Sequence, residues 1–228
     1  MTRSPTTAAP SHTCSRRIKD GRGDYDGAIA DYSEVIRLNP RDAASYNNRG
    51  SAWNAKGEHD KAILDLEASL KLDPNNQAAR LNRGFMAVGE GRFGEAAEHF
   101  SRTMQTTPPT AYMLLWQYVA RARAGADGQK ESEARTQLSE QSVKLAERSF
   151  HSQIVEFYLG RTDEPGLRKS AQSPTDACET DYFVAQHHLI QGETARGVAL
   201  LQSVTKNCPA NFHETWAARV ELRRLMQQ

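Results

Sequence analysis

The feature that most constrains this chain is a register of small residues and prolines that recurs every 34 positions. Pro40, Pro74 and Pro108 superpose at that step, as do Gly23, Gly57 and Gly91, Ala28, Ala62 and Ala96, and Tyr32, Leu66 and Phe100. A single compact core has no reason to space its glycines so regularly, whereas stacked copies of one supersecondary unit do. Each copy reads as helix, tight turn, helix. Glycine sits at the turn, alanine lies where the two helices touch, the large apolar residue fills the groove beside it, and proline ends the second helix. Gly50 and Gly84 add a close-approach point on the first helix of their copies. The period repeats no chemically reactive side chain, so its product is a surface rather than an active site.

Composition agrees with a thin stacked structure. The 228 residues are 38% hydrophobic and 7% aromatic, lean for one thick core. With 29 Lys+Arg against 28 Asp+Glu the formal charge is +1, which offers no field for nucleic acid or an anionic membrane. No apolar run is long enough to span a bilayer, so direct membrane insertion is not expected. The first twenty residues lack the apolar stretch of a secretory signal, and Ser11, His12 and Thr13 before Cys14 do not look like a lipid-acceptor site. The sequence as written therefore reads as cytoplasmic, and as periplasmic or outer-membrane associated if the true N-terminus lies upstream.

The expected organisation has four parts. Residues 1–15 form a polar leader, expected to be disordered. Residues 16–108 form the repeat array; its first copy is partial, because Arg16 and Lys19 stand where Gly50 and Trp53 stand in the next. Residues 109–175 are an irregular helical region. It holds an amphipathic helix in "TAYMLLWQYVARARAG", a charge-rich helix after it, and short helices near 153–159 and 164–171 before the break at Ser173 and Pro174. Residues 176–228 carry a degenerate copy, with Gly192 at the turn, Gly197 in the alanine slot and Leu201 in the groove, followed by a capping helix. On that last helix Phe212, Trp216 and Val220 share one side, which predicts the buried face, with Glu214 opposite and Leu222 and Leu225 off the stripe.

A 34-residue helical hairpin with this pattern resembles the tetratricopeptide repeat (TPR), most strongly over residues 43–108. The expected fold is therefore an all-α TPR superhelix, an alpha-alpha solenoid. The order of two repeats, "AYMLLWQYVARARAGADG", "IVEFYLGR" and the closing repeat resembles the NlpI-like group of bacterial TPR lipoproteins over roughly residues 20–225. That resemblance implies an exported, often lipid-anchored adaptor for periplasmic proteases and peptidoglycan hydrolases, acting as a homodimer.

Asn48 and Asn82 occupy the same slot in adjacent copies, which in the TPR fold lines the concave groove. An amide there donates to and accepts from an extended peptide at once; the competing reading is that each bridges neighbouring helices. Asn47, Ser51, Asn54 and Phe85 extend the same expected surface. Arg49 and Arg83 either clamp a partner carboxylate or form ion pairs between helices. The two-carboxylate clamp of TPR co-chaperones is not expected, since Thr13 and Ala78 stand where it needs basic residues. Cys178 and Cys208 flank the last hairpin at neighbouring ends, which suits a disulfide in an oxidising compartment and two small thiols in the cytosol. Trp116 and Tyr118 fit either self-association or core packing.

Nothing in the sequence points to catalysis. His187 and His188 diverge on a helix and do not chelate one metal, Glu131, Glu133 and Glu140 read as a solvated face, and no serine sits in a nucleophile elbow. No cofactor or metal is expected. The function read from the residues is a non-catalytic scaffold for a protein or peptide partner. An enzyme remains the alternative only if titratable groups converge within 109–175.

Overall fold

A computed structural model describes residues 24–125, 128–145 and 149–227. The expected leader and the first helix of the first copy lie outside the described residues. Among those residues every regular element is helical, in the order α1 (Tyr25–Leu38), α2 (Ala43–Lys56), α3 (His59–Leu72), α4 (Gln77–Gly89), α5 (Phe93–Met104), α6 (Ala111–Arg123), α7 (Gly128–Ser142), α8 (Phe150–Tyr158), α9 (Glu164–Ser170), α10 (Pro174–Ile190), α11 (Thr194–Asn207) and α12 (His213–Leu225). Packing divides the chain into two compact units between Asn82 and Arg83, within α4, whereas the sequence pattern changes at Pro108 and near 175.

In the first unit α1 packs on α2 and α2 on α3. Ala28, Ile29, Tyr32 and Ala52 form its core, with Trp53 packed against them. The period explains the closeness of α2 and α3. A Cβ on Gly50 would stand 3.2 Å from the carbonyl oxygen of Ala62 and 3.2 Å from Leu66, so any larger residue would push these helices apart slightly. Gly84 meets the ring of Phe100 in the same way in the second unit. The turn glycines also share one geometry: Gly57, Gly91 and Gly192 all have positive φ, the left-handed conformation that L side chains resist. In each turn the residue after the glycine donates its N–H to a carbonyl five positions back: Glu58 to Trp53, Arg92 to Ala87 and Glu193 to His188.

The second unit is built around α6. Ten of its residues, from Ala111 to Ala122, are buried, as befits a helix that packs against α5, α7, α8 and α10. Trp116 and Tyr118 are core residues, 0% and 1% exposed, so core packing and not self-association accounts for both. The region expected to be irregular contains a shortened hairpin: α8 and α9 pack together across Gly160, whose φ is also positive, with Arg161 donating to the Glu156 carbonyl as in the longer turns. Ser173 caps α10 in a reciprocal box with Asp176, and Pro174 fills the first turn, where a missing N–H costs nothing. Cys178 and Cys208 are joined as a disulfide across α10 and α11, their Cα atoms 5.8 Å apart.

The capping helix α12 departs from the expected face. Glu214, Thr215, Ala217, Ala218, Glu221 and Leu222 are buried with Trp216, while Phe212 and Val220 are only half-buried. The two glutamates turn inward because each finds a partner there. Tyr112 donates its hydroxyl to Glu214 at 2.8 Å, and Glu221 pairs with Arg123 and accepts from the Gln186 amide at 2.7 Å.

Candidate partner-binding site

The polar residues singled out by the sequence fall in two places. Within the first unit α2 carries Asn47, Asn48, Ser51 and Asn54, and the start of α4 carries Asn82. Asn82 Nδ2 donates to Asn47 Oδ1 at 3.0 Å and to Ser51 Oγ at 3.1 Å, and Asn47 Nδ2 donates to Asn48 Oδ1 at 3.2 Å. The result is a connected row of amides in which Asn47 is buried and Asn48 and Asn82 are half-buried. The row uses both donors of Asn82 and one acceptor of Asn48. It leaves the Asn48 Nδ2 donor and the Asn82 Oδ1 acceptor without a partner among the described residues. Asn54 lies apart, its Oδ1 3.1 Å from His59 Nδ1 across the turn.

Arg49 is committed to the fold. Its Nε and Nη2 take both oxygens of Asp65 at 2.7 Å and its Nη1 reaches Ser33 Oγ at 3.1 Å. That bidentate pair holds the Arg49 pKa above its ordinary value. Arg83, in the second unit, is 3% exposed and pairs with Glu95 at 2.9 Å and Glu90 at 3.5 Å. Both guanidiniums therefore brace helices. Phe85 does not extend an open surface: it is 4% exposed, its ring 4.9 Å from that of Trp116 and 5.4 Å from that of Phe100. The 34-residue step carries Ser51, which is exposed, onto Phe85, but in the second unit the aromatic rings of α5 and α6 cover that slot.

Sequence reasoning missed the buried polar groups of the second unit. Tyr112 and His151 meet edge to face at 4.9 Å and border a cavity of about 510 Å³ that Pro108, Pro109 and Leu145 also line. Each ring meets an acid: Tyr112 meets Glu214, and His151, through Nε2, meets Glu179 Oε2 at 3.0 Å. Burial pushes Glu214 up to about 7, while desolvation pushes the neighbouring, half-buried His213 down to about 4. Titratable groups do converge beside the 109–175 region: Tyr112 is hydrogen-bonded to Glu214, whereas His151 Nε2 lies within ion-pair distance of Glu179 without a hydrogen bond. Among the described residues no group of three His, Cys, Asp or Glu side chains is placed to hold a metal ion, and no helix is long and apolar enough to cross a membrane.

Comparison with known proteins follows the same lines as the geometry. Residues 17–76 match the family model described as tetratricopeptide repeat. Over those residues the sequence is similar to tetratricopeptide repeats. The architecture of the chain is shared with a solved tetratricopeptide repeat protein from Parabacteroides merdae, with a TM-score of 0.58 over 98% of this chain and 87% of that one at 14% identity, a likeness of fold alone. In sequence the chain is 27% identical over 143 residues to the lipoprotein NlpI homolog of Haemophilus influenzae, a stretch that covers 59% of this chain. It spans 44% of that relative, less than half its length.

Proposed function

We propose that this chain is a non-catalytic scaffold that holds an extended segment of a partner protein on the amide row of its first unit. The observation that carries the reading is the pair of unused groups on that row, one donor on Asn48 and one acceptor on Asn82. An extended peptide presents the matching acceptor and donor on its own backbone. Ser51, exposed beside them, and Asn47, which fixes the row from behind, complete the surface.

The test is calorimetric titration of a peptide selected by display against the full chain. Asn48→Ala/Asn82→Ala is expected to weaken its binding about tenfold or more, in line with the loss of two net hydrogen bonds. Equal affinity for the two proteins would remove the row from the binding surface.

A second reading concerns where the scaffold works, and the Cys178–Cys208 bridge favours it. Disulfides persist in oxidising compartments, and the relative from Haemophilus influenzae is named a lipoprotein. Together these support an adaptor of the bacterial cell envelope, where it recruits a protease or peptidoglycan hydrolase. Alkylation of intact cells before lysis is expected to leave Cys178 and Cys208 unmodified until reductant is added. Full alkylation of both without reductant would place the chain in a reducing compartment and end this reading.

A further inference from the structure

Among the described residues, several buried or half-buried arginines of the second unit come with acids. Arg83, Arg123 and Arg224 each meet a carboxylate, from Glu90 and Glu95 or from Glu221. Arg121, in the last turn of α6, meets none among the described residues. Its Nη2 donates to Ser101 Oγ on α5 at 3.0 Å, and Gln117 Nε2, one helical turn earlier, donates to the same oxygen at 2.9 Å. The Ser101 hydroxyl sends its own proton to the Ala97 carbonyl at 2.7 Å, so both its lone pairs and its hydrogen are taken. The Nε of Arg121 is buried without an acceptor, and its Nη1 is neither buried nor bonded among the described residues. A half-buried guanidinium held this way by neutral groups keeps its charge uncompensated, and burial duly pushes its pKa down.

We propose that Arg121, positioned by Ser101 and Gln117, is a binding site for a carboxylate on an acidic side chain of a polypeptide partner. Charge matching selects that ligand. One guanidinium flanked by a hydroxyl and an amide neutralises a single negative charge, with Nη1 as the open donor. A phosphate dianion needs a second cation, and among the described residues no other lysine, arginine or histidine is seen to bond to this cluster. A bridging water fills hydrogen-bonding capacity but leaves the charge where it is. The site stands independently of the amide row on α2 and α4, so either assignment survives the failure of the other.

The experiment uses the full chain labelled with 15N-arginine, with the Arg121 Nε–Hε resonance assigned by its loss in Arg121→Lys. N-acetyl-glutamate amide, N-acetyl-glutamine amide and inorganic phosphate are titrated at matched ionic strength. The glutamate derivative is expected to shift the Arg121 resonance saturably, at least tenfold more tightly than the glutamine derivative and more tightly than phosphate. Absence of a saturable shift, equal response to the glutamine derivative, or tighter binding of phosphate would each overturn the proposal. Ser101→Asp supplies an internal carboxylate beside Nη2 and is expected to weaken the glutamate response at least tenfold. An undiminished response in that variant counts equally against the site. Protein carrying Asn48→Ala/Asn82→Ala is expected to keep the Arg121 response.

Discussion

Trp116→Ala is expected to lower the stability of the second unit by about 4 kcal/mol, the upper range for deleting a fully buried aromatic side chain. Trp116 is 0% exposed on the helix that the rest of that unit surrounds, with the rings of Phe85, Tyr182 and Phe183 centred 4.9, 5.1 and 5.8 Å away. Alanine leaves a cavity bounded by rigid rings on two helices, which cannot collapse together without breaking their other contacts. Trp53→Ala is the comparison. Trp53 is half-buried at the edge of the first unit's core, and its loss is expected to cost about 1–2 kcal/mol. Urea denaturation followed by circular dichroism, with hydrogen exchange localised to 111–123, separates the two cases. A cost below about 1 kcal/mol for Trp116→Ala would mean that the aromatic cluster is not the core of its unit.

The second large effect is hidden in the native protein and appears only when one of two neighbours is removed. Glu214 has a folded pKa of about 7, raised from 4.5 by burial, so its contribution is fully present below 4.5 and is lost as pH rises through 7. His213 has a folded pKa of about 4, lowered from 6.5 by burial, so its contribution is present above 6.5 and is lost as pH falls through 4. Between about pH 4.5 and 6.5, folding takes a proton from His213 and gives one to Glu214, with almost no net uptake from this pair. The pair therefore contributes a flat stability profile across that interval.

His213→Phe removes one side of the exchange and suits the apolar setting, since the His213 ring lies 4.3 Å from that of Phe85. Relative to the native protein, this variant is expected to lose about 3 kcal/mol of stability as pH rises from 4.5 to 7. Glu214→Gln is expected to show the opposite slope, gaining about 3 kcal/mol from pH 4 to 6.5, since the amide can still accept from Tyr112. Urea midpoints for the three proteins across pH 4 to 8 provide the measurement. Parallel profiles would show that neither group titrates as its burial requires.

These two neighbours also mark where the sequence stopped being legible. The fold could be read because its determinants are local or periodic. Gly50 and Gly84 announce close helix approach, Gly57, Gly91 and Gly192 announce left-handed turns, and each recurs where one backbone geometry recurs. The amide row was visible for the same reason, since Asn48 and Asn82 share a slot.

The polar interior of the second unit is set by partners about a hundred positions away, such as Tyr112 for Glu214 and Arg123 for Glu221. A hydropathy stripe cannot supply such partners. On α12 it assigns glutamates to solvent, whereas a glutamate with a buried donor can belong to the core. Arg121 was overlooked for a related reason: what distinguishes it is the absence of a neighbour, and absence leaves no mark on a periodic pattern. Phe85 erred in the other direction. Periodicity assigned it a face, but not what its own unit had already placed there.

The disulfide between α10 and α11 has a consequence beyond conformational stability. Cys178 and Cys208 lie 30 residues apart and enclose the whole Gly192 turn, whose residues 191–196 are exposed. A covalent ring of that kind changes what a cut means. A peptidase that nicks the exposed turn opens the polypeptide once but separates nothing, because α10 and α11 stay tethered at their far ends and α12 stays joined to α11. For a scaffold proposed to work beside proteases, the most accessible turn of its closing repeat is thus one that can be cleaved without losing the cap.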